Sequence, residues 1–591
     1  MPKEEEKLLG IKEAAAFLNI SQNTLRHLIT SHKITTSGDD LSFSQKERLK
    51  FKVKKSSFKQ DRDFHRKYLP KDSPNRQLLT ELLKSGHKYN LKAFLAEAIL
   101  QLMASKALIS SGERLLENFI KVQIHLGVYS DLIDALIGDL KDYSTPSFKL
   151  VFKPYEDTLG YIYLALKEGD AYYISHELSD LTVATLAIKA GRSFLDVKVG
   201  TGLFLLRLLK RGASIGDLYG IDNDPIALII AKLNLLLNCD NLSLDFLNEH
   251  LGAKTLDDKS LPQFKVLLGY PSWHDAYFYL KQGLNLLSEG GIIHFILPES
   301  LLKVKAHEKV RLLLEEHSRI KSVRFLGAIF HTKISTAMIL TAEKTSYAHA
   351  LGEVIVHEGD YTYIIRRERK ALDFNFRLGD QEYKLLEKID NLNNCVKLHS
   401  LVDFALGIVS GDNKKHLLPY KEQYYEEILR GCDIEPYFIK APSCFINLSL
   451  GRVQQMAPLE FYRAPLKLVY RFIATYPQVA IDTKAYLSLN SCNIMVMKNQ
   501  NLSPYYLCAI LNSHVMRFYF EKKFGSNKIL KSQLGQVPII RASDKTELEI
   551  EFMVKELLEL GPKASILKAI DRTIADLYGL GKRDYRLAKI L

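Results

Sequence analysis

Two carboxylates and a glycine turn carry the chemistry most readily read from this chain. Asp196 ends the short apolar run Ser193–Val197, and Gly200-Thr201-Gly202 follow just before a Leu-rich segment. Asp222 follows the next apolar run, Leu218–Ile221. Glycines let a backbone pass close to a ligand, and a helix N-terminus favours a negative group. A carboxylate about 20 residues beyond such a turn is placed to take a pair of ribose hydroxyls. The spacing therefore predicts a nucleoside-type ligand. A third apolar run, Lys265–Leu268, leads into the turn Gly269-Tyr270-Pro271-Ser272-Trp273. What must position these residues is a set of βαβ units, because strand-length apolar runs alternate with helix-length segments rich in Leu, Ile and Ala. Ligands of such sheets bind beyond the carboxyl ends of the strands.

These stretches resemble a known family. LDVKVGTG and GIDNDPIALIIAKLN resemble two motifs in the S-adenosylmethionine-binding core of N6-adenine DNA methyltransferases, of the restriction-modification type with a C-terminal target recognition domain. The resemblance implies that Asp196, Gly200 and Gly202 form the cofactor turn and that Asp222, with Asn223 beside it, holds the ribose. Leu244-Asp245-Phe246-Leu247 resembles the next motif, which implies that Asp245 and Phe246 flank the adenine. AYYISHELSDL resembles the Tyr-Thr-Pro-Pro segment with Ile174-Ser175 in place of Thr-Pro, leaving Ser175 as the nearest substitute for the cofactor-contacting Thr.

The family's catalytic Asn-Pro-Pro-Tyr reads Tyr270-Pro271-Ser272-Trp273 here. An exocyclic adenine amine is a poor nucleophile because its lone pair is delocalised into the ring. The resemblance implies that the Asn oxygen and the following carbonyl localise that pair. A Tyr hydroxyl accepts one such bond but from a different point, and an error near 1 Å costs about a hundredfold. Trp273 keeps an aromatic for a flipped base, and Phe330 matches the family position that packs against it or serves as a core aromatic. Lys198 adds a cation to the cofactor turn. The motif reads as degenerate; a variant site that works through Tyr270 is the milder reading.

The chain has 591 residues, too many for one core. Hydrophobic content of 47% and charged content of 25% describe an ordinary globular protein. A formal charge of +13 favours a polyanionic partner. The six cysteines lack Cys-x-x-Cys pairing, against a metal site or a disulfide framework. No apolar signal region or run of about 18 apolar residues is present, so a cytoplasmic protein without membrane attachment is expected.

Residues 8–34 read as two short helices across a tight turn, with Ser21 as N-cap and Gln22, Asn23 and Arg26 outward. This resembles an excisionase-like winged helix-turn-helix, which implies major-groove contact; a helical hairpin for protein contacts is the other reading. Lys46–Lys71 is strongly basic, either a phosphate-binding segment or a solvated linker. Helical periodicity runs from about Asn75 to Tyr143, and YFYLKQGLNLLSEGG predicts a helix closed by Gly290-Gly291. From about Lys397 onward the chain resembles the family's recognition half, in which Lys414, Lys415, Arg430, Arg471, Lys522, Lys523, Lys528 and Lys531 suit phosphate contact.

The expected fold is α/β. It comprises a winged helix-turn-helix (1–60), a helical subdomain (61–150), a Rossmann-like S-adenosylmethionine-dependent methyltransferase domain (151–375), an α/β target recognition domain (376–545) and a C-terminal helical segment (546–591). The expected function is a DNA-binding member of the family with a degenerate catalytic motif, recognising double-stranded DNA beside an active methyltransferase or restriction subunit. The alternatives are an active adenine methyltransferase and a DNA-binding regulator that keeps the enzyme fold.

Overall fold

In the computed structural model the described residues are 64–590, apart from 85–88, 123–124, 139, 141–142, 168–172, 272, 330–335, 347–352, 367–373, 451–452 and 499–501, together with the strand pair Leu8–Leu9 and Leu41–Ser42. The chain divides into two compact units, Met1–Tyr363 and Ile364–Leu591. The winged helix-turn-helix, with Gln22, Asn23 and Arg26, lies outside the described residues, as does Phe330.

In the first unit, α1 (Arg76–Lys84), α2 (Leu91–Ser105), α3 (Leu115–Val122) and α4 (Val128–Ile137) precede α5 (Thr158–Leu166) and α6 (His176–Ala184). The alternating segment follows as β1 (Phe194–Asp196), α7 (Leu203–Lys210), β2 (Leu218–Ile221), α8 (Pro225–Asn238), α9 (Leu244–His250), β3 (Leu251–Gly252) and β4 (Phe264–Gly269). After these come α10 (Ala276–Leu286), β5 (Leu287–Pro298), α11 (Glu308–His317), β6 (Ser318–Gly327), β7 (Ala337–Lys344), β8 (Glu353–Glu358) and β9 (Tyr361–Arg366), the last containing the division between the units.

The strand order is β9-β8-β6-β7-β5-β4-β1-β2-β3. Strands β3, β2, β1, β4 and β5 run parallel, and β7 is antiparallel to both β5 and β6. Each residue of β1 is buried, as befits a central parallel strand covered on both faces. Asp224 caps α8 by accepting the N–H groups of Ile226 and Ala227, and Pro225 opens the helix where its missing N–H is not needed. This is the α/β methyltransferase-type sheet that the sequence predicts.

Two expectations need correction. Helices α1–α4 share one continuous hydrophobic cluster with α7, α8 and the sheet, so they are not a separate core. The reason lies in α2, where every residue from Ala93 to Met103 is buried, with Glu97 satisfied by Gln101 and by the Leu115 and Leu116 N–H groups; a helix buried on all faces must be enclosed. Secondly, α10 stops at Leu286, and Gly290-Gly291 lie within β5, where the register with β4 shifts.

The second unit holds α12 (Asp380–Asp390), an antiparallel sheet and a C-terminal group of helices. The sheet order is β10-β13-β11-β12, with β10 at Val402–Ala405, β11 at Lys467–Arg471, β12 at Val479–Asp482 and β13 at Cys492–Met497. The short helix α13 (Asn413–His416) leads into a second small sheet. Helices α14 (Pro504–Asn512), α15 (His514–Lys523), α16 (Asp544–Leu560) and α17 (Ala564–Leu577) pack with part of the first sheet around one hydrophobic cluster that runs from Leu378 to Ile590. The segment expected as a distinct C-terminal piece after 545 therefore belongs to this core.

Candidate functional site

Strands β4, β1 and β2 lie side by side in register, Asp196 opposite both Gly220 and Leu268. Their carboxyl ends bring Asp196, Asp222 and the Gly269-Tyr270-Pro271 turn to one edge of the sheet. Asp196 is fully buried. One carboxyl oxygen accepts the Lys198 N–H at 3.1 Å, and the other, Oδ2, has no hydrogen-bond partner. Burial pushes this carboxyl up to about 8, and the nearby Asp222 adds to the shift. A buried carboxyl with an unsatisfied oxygen suits a ligand donor or cation at that point.

The glycine turn has the shape its residues predict. Gly200 and Gly202 have φ of +52° and +89°, the left-handed region that glycine enters without cost. Gly200 N–H donates to Asp222 Oδ2 at 2.9 Å, and Asp222 Oδ1 accepts the Asp224 N–H at 3.0 Å. The Asp222 carboxylate thus ties the two turns together and retains lone pairs for a ligand. The Lys198 side chain is exposed, whereas Val199 is buried against β2. A Cβ at Gly220 would come within 2.7 Å of Val199 Cγ2, so β2 carries glycine where the turn's Val packs. Asn223 is exposed beside Asp222.

Ser175 is the N-cap of α6, its hydroxyl accepting the Leu178 N–H at 3.1 Å. Asp245 and Phe246 are not where the motif comparison puts them. They occupy the first turn of α9, ahead of β3, and the residues that leave the carboxyl end of β3 are Ala253 and Lys254. Phe246 stacks on His250 at 4.0 Å, and His250 on Tyr219 of β2 at 4.2 Å, a continuous aromatic column outside the glycine turn. With β3 only two residues long, the local pattern could not reveal which side of the strand carried the motif.

At the third turn, Gly269 has φ of +144°, and a Cβ there would lie 3.0 Å from Asp196 Oδ1. Tyr270 is half-buried against the apolar cluster, and Pro271 is buried. Trp273 opens a short helical turn, Trp273–Asp275. The sequence reading missed Tyr279 on α10. Burial raises its hydroxyl pKa, with further contributions from Asp222 and Asp275, which puts it within electrostatic reach of the Asp222 carboxylate. It also missed Asp157, the N-cap of α5, which accepts the Thr201 hydroxyl at 2.5 Å. Tyr279 stands in no motif, and Asp157 lies in the stretch Tyr155–Leu178, which resembles the family's entry segment without marking any single residue.

In the second unit, Arg471 ends β11 and its guanidinium donates to Ile473 O, while Lys528 sits over the Phe472 ring and Lys531 over the Phe404 ring. Ile529 N–H donates to Phe472 O at 2.8 Å, which joins the Arg471 and Lys528 segments. Lys414 and Lys415 are exposed on α13. Three other expected cations are engaged within the unit: Lys522 with Glu382, Lys523 with Asp390, and Arg430 with Asp433. Among the described residues, no helix is long and apolar enough to cross a membrane.

Residues 426–539 match the TaqI-like C-terminal specificity domain. The chain is 24% identical over 286 residues to the type II methyltransferase M.VspI of Vibrio sp., a match covering 44% of this chain and 67% of that protein. It is likewise 24% identical over 247 residues to the type II methyltransferase M.TthHB8I of Thermus thermophilus, covering 41% and 56%. The type IIL restriction-modification enzyme MmeI, solved in complex with DNA, shares the fold with a TM-score of 0.53 over 87% of this chain and 97% of that one, at 12% identity. The chain is thus similar to type II restriction-modification methyltransferases, and its residues 426–539 to the TaqI-like C-terminal specificity domain.

Proposed function

We propose that this chain binds S-adenosylmethionine and DNA as a member of the N6-adenine methyltransferase group, that its own methyl-transfer turn is degenerate, and that it recognises DNA beside an active partner. S-adenosylmethionine supplies an electrophilic methyl group when bound. The residues that fit it are Asp196, whose unpartnered buried oxygen calls for a donor, Gly200 and Gly202, whose bare backbone admits close approach, and Asp222, with acceptor capacity left for hydroxyls. DNA recognition falls to the second unit, where exposed Lys414 and Lys415, ahead of the TaqI-like region, and Lys528 and Lys531 within it can neutralise phosphates.

The observation that carries the degenerate reading is Tyr270 itself. Its ring packs against the apolar cluster at the position where an amide is needed. A phenol oxygen stands at the far end of a ring, displaced from the point an Asn oxygen would occupy, so it cannot share the exocyclic amine with the following carbonyl in the same geometry. The backbone of the turn, with Gly269 at a positive φ that favours glycine, supports a second reading in which Tyr270 and the adjoining carbonyl activate the base. Methyl transfer from labelled cofactor to DNA separates the two. The purified chain should show none above background, and the double substitution Tyr270→Asn with Ser272→Pro should bring it to at least about ten times background. Robust methylation by the unaltered chain would sink the degenerate reading. Mixing with a competent methyltransferase subunit should move methylation to sites this chain selects.

A further inference from the structure

The helical segment ahead of the sheet places one carboxylate beneath the glycine turn. Asp157 is fully buried. As N-cap of α5 it accepts the Gly160 N–H at 2.8 Å, which is all that capping needs. Three further donors converge on it from other elements: Tyr68 Oη at 2.7 Å, Thr201 Oγ1 at 2.5 Å and Asn234 Nδ2 at 2.7 Å. Asn234, on α8, also donates to Thr201 O at 2.8 Å. Thr201 is therefore held by its hydroxyl and by its carbonyl, and its neighbours on either side are the two glycines.

The same residue reaches the Ser175 segment. Asp157 N–H donates to His176 Nε2 at 3.0 Å, and His176 Nδ1 lies 2.7 Å from Tyr68 O. The first contact requires a neutral imidazole, and burial keeps His176 neutral by lowering its pKa to about 3. The second is then a donated hydrogen bond. His176 immediately follows Ser175. The two stretches assigned to the cofactor, one before α6 and one before α7, thus meet at a single buried side chain and its own backbone. At the other end of α5, the Tyr163 hydroxyl donates to Asp224, and Lys167 lies 2.6 Å from the same carboxylate, which caps α8 just past Asp222.

We infer that Asp157 is a positioning residue for the cofactor, setting the distance between the Ser175 segment and the Gly200–Gly202 turn. This rests on the cofactor reading above. A carboxylate suits the role because it accepts from four donors and donates none, whereas an amide of the same shape has one oxygen and turns two N–H bonds toward donors. The partners lie 44 and 77 residues away along the chain, so the contacts serve the arrangement of elements rather than the local helix start.

The test compares the full chain with Asp157→Asn, with Thr201→Val, which removes only the hydroxyl link, and with Thr182→Val. Thr182 is a buried threonine of α6 whose hydroxyl bonds Leu178 O, outside this network. S-adenosylmethionine affinity is measured by calorimetry, thermal stability by scanning, and amide exchange on peptides covering 173–178 and 198–203. Asp157→Asn and Thr201→Val should weaken the cofactor about tenfold or more and speed exchange in both peptides together. Thr182→Val, which removes the hydroxyl bond to Leu178 O, should lower stability while leaving affinity and the 198–203 peptide unchanged. Unaltered affinity with a general loss of stability in the Asp157 and Thr201 variants would reduce Asp157 to a fold residue. If the unaltered chain binds no cofactor at millimolar concentration, the cofactor reading fails by itself. The exchange comparison then decides on its own whether Asp157 sets the two segments, with unchanged exchange overturning the inference.

Discussion

Asp196 is a carboxyl whose proton depends on what stands beside it. In the unfolded chain it ionises near 4, and in the folded protein burial raises it to about 8. Between those values the folded state holds a proton that the unfolded state has lost. Stability therefore falls as pH rises from about 4 to about 8, by several kcal/mol at most over the window. Asp196→Asn removes this dependence, so the two melting profiles should converge at acid pH and diverge toward pH 8, with the variant the more stable. A cation or hydrogen-bond donor from the proposed ligand reverses the cost of ionisation. Cofactor binding near pH 7 should then release about one proton, seen as a buffer-dependent heat in calorimetry. A heat independent of buffer would place the ligand away from Asp196.

The turns are set by how elements meet. Val199 from the glycine turn fills the space over Gly220 of β2, where a Cβ would also lie 2.8 Å from Leu251. Gly220→Ala should cost about 1–3 kcal/mol in a denaturant titration, and Val199→Ala in the same chain should recover part of it. A non-additive cycle is the expected result. In the second unit, His514 at the start of α15 pairs with Asp571 of α17 at 2.6 Å, and that hydrogen bond raises the His pKa. The pair contributes fully below the unfolded value near 6.5 and is lost as pH rises through the raised folded value. His514 is more than a third exposed, so Asp571→Asn should cost only about 0.5 kcal/mol at pH 5.5 and less at pH 8.5, read from urea midpoints. Much of this scale was legible in the sequence. The strands ending at Asp196 and Asp222 declare themselves because apolar runs, glycines and acids follow one another locally. The brace on Asp157 did not, since its partners Tyr68, Thr201 and Asn234 are scattered over three other segments and nothing in their spacing links them. The misplacement of Asp245 and Phe246 has the same root: β3 is too short for its own pattern to fix its position.

At the scale of the whole chain, the net charge of +13 is an argument about association rather than fold. DNA binding should weaken steeply with salt, and replacing Lys414, Lys415, Lys528 and Lys531 together by Ala should flatten the log–log slope by about one for each phosphate no longer neutralised. An unchanged slope would put the phosphate-binding cations elsewhere. The division between Tyr363 and Ile364 assigns these lysines to one unit and the glycine turn to the other, so the substitutions should leave cofactor affinity untouched. Gly269 has a bearing on how such a molecule can change. It keeps a left-handed backbone beside Asp196, while the side chains that would do chemistry come after it. Conformational demand and chemical identity therefore fall on different residues. Under the proposed function, a library confined to positions 270, 272 and 273 would vary the side chains of the turn without touching the glycine that shapes its backbone, and a selection for methyl transfer would then report on chemistry alone.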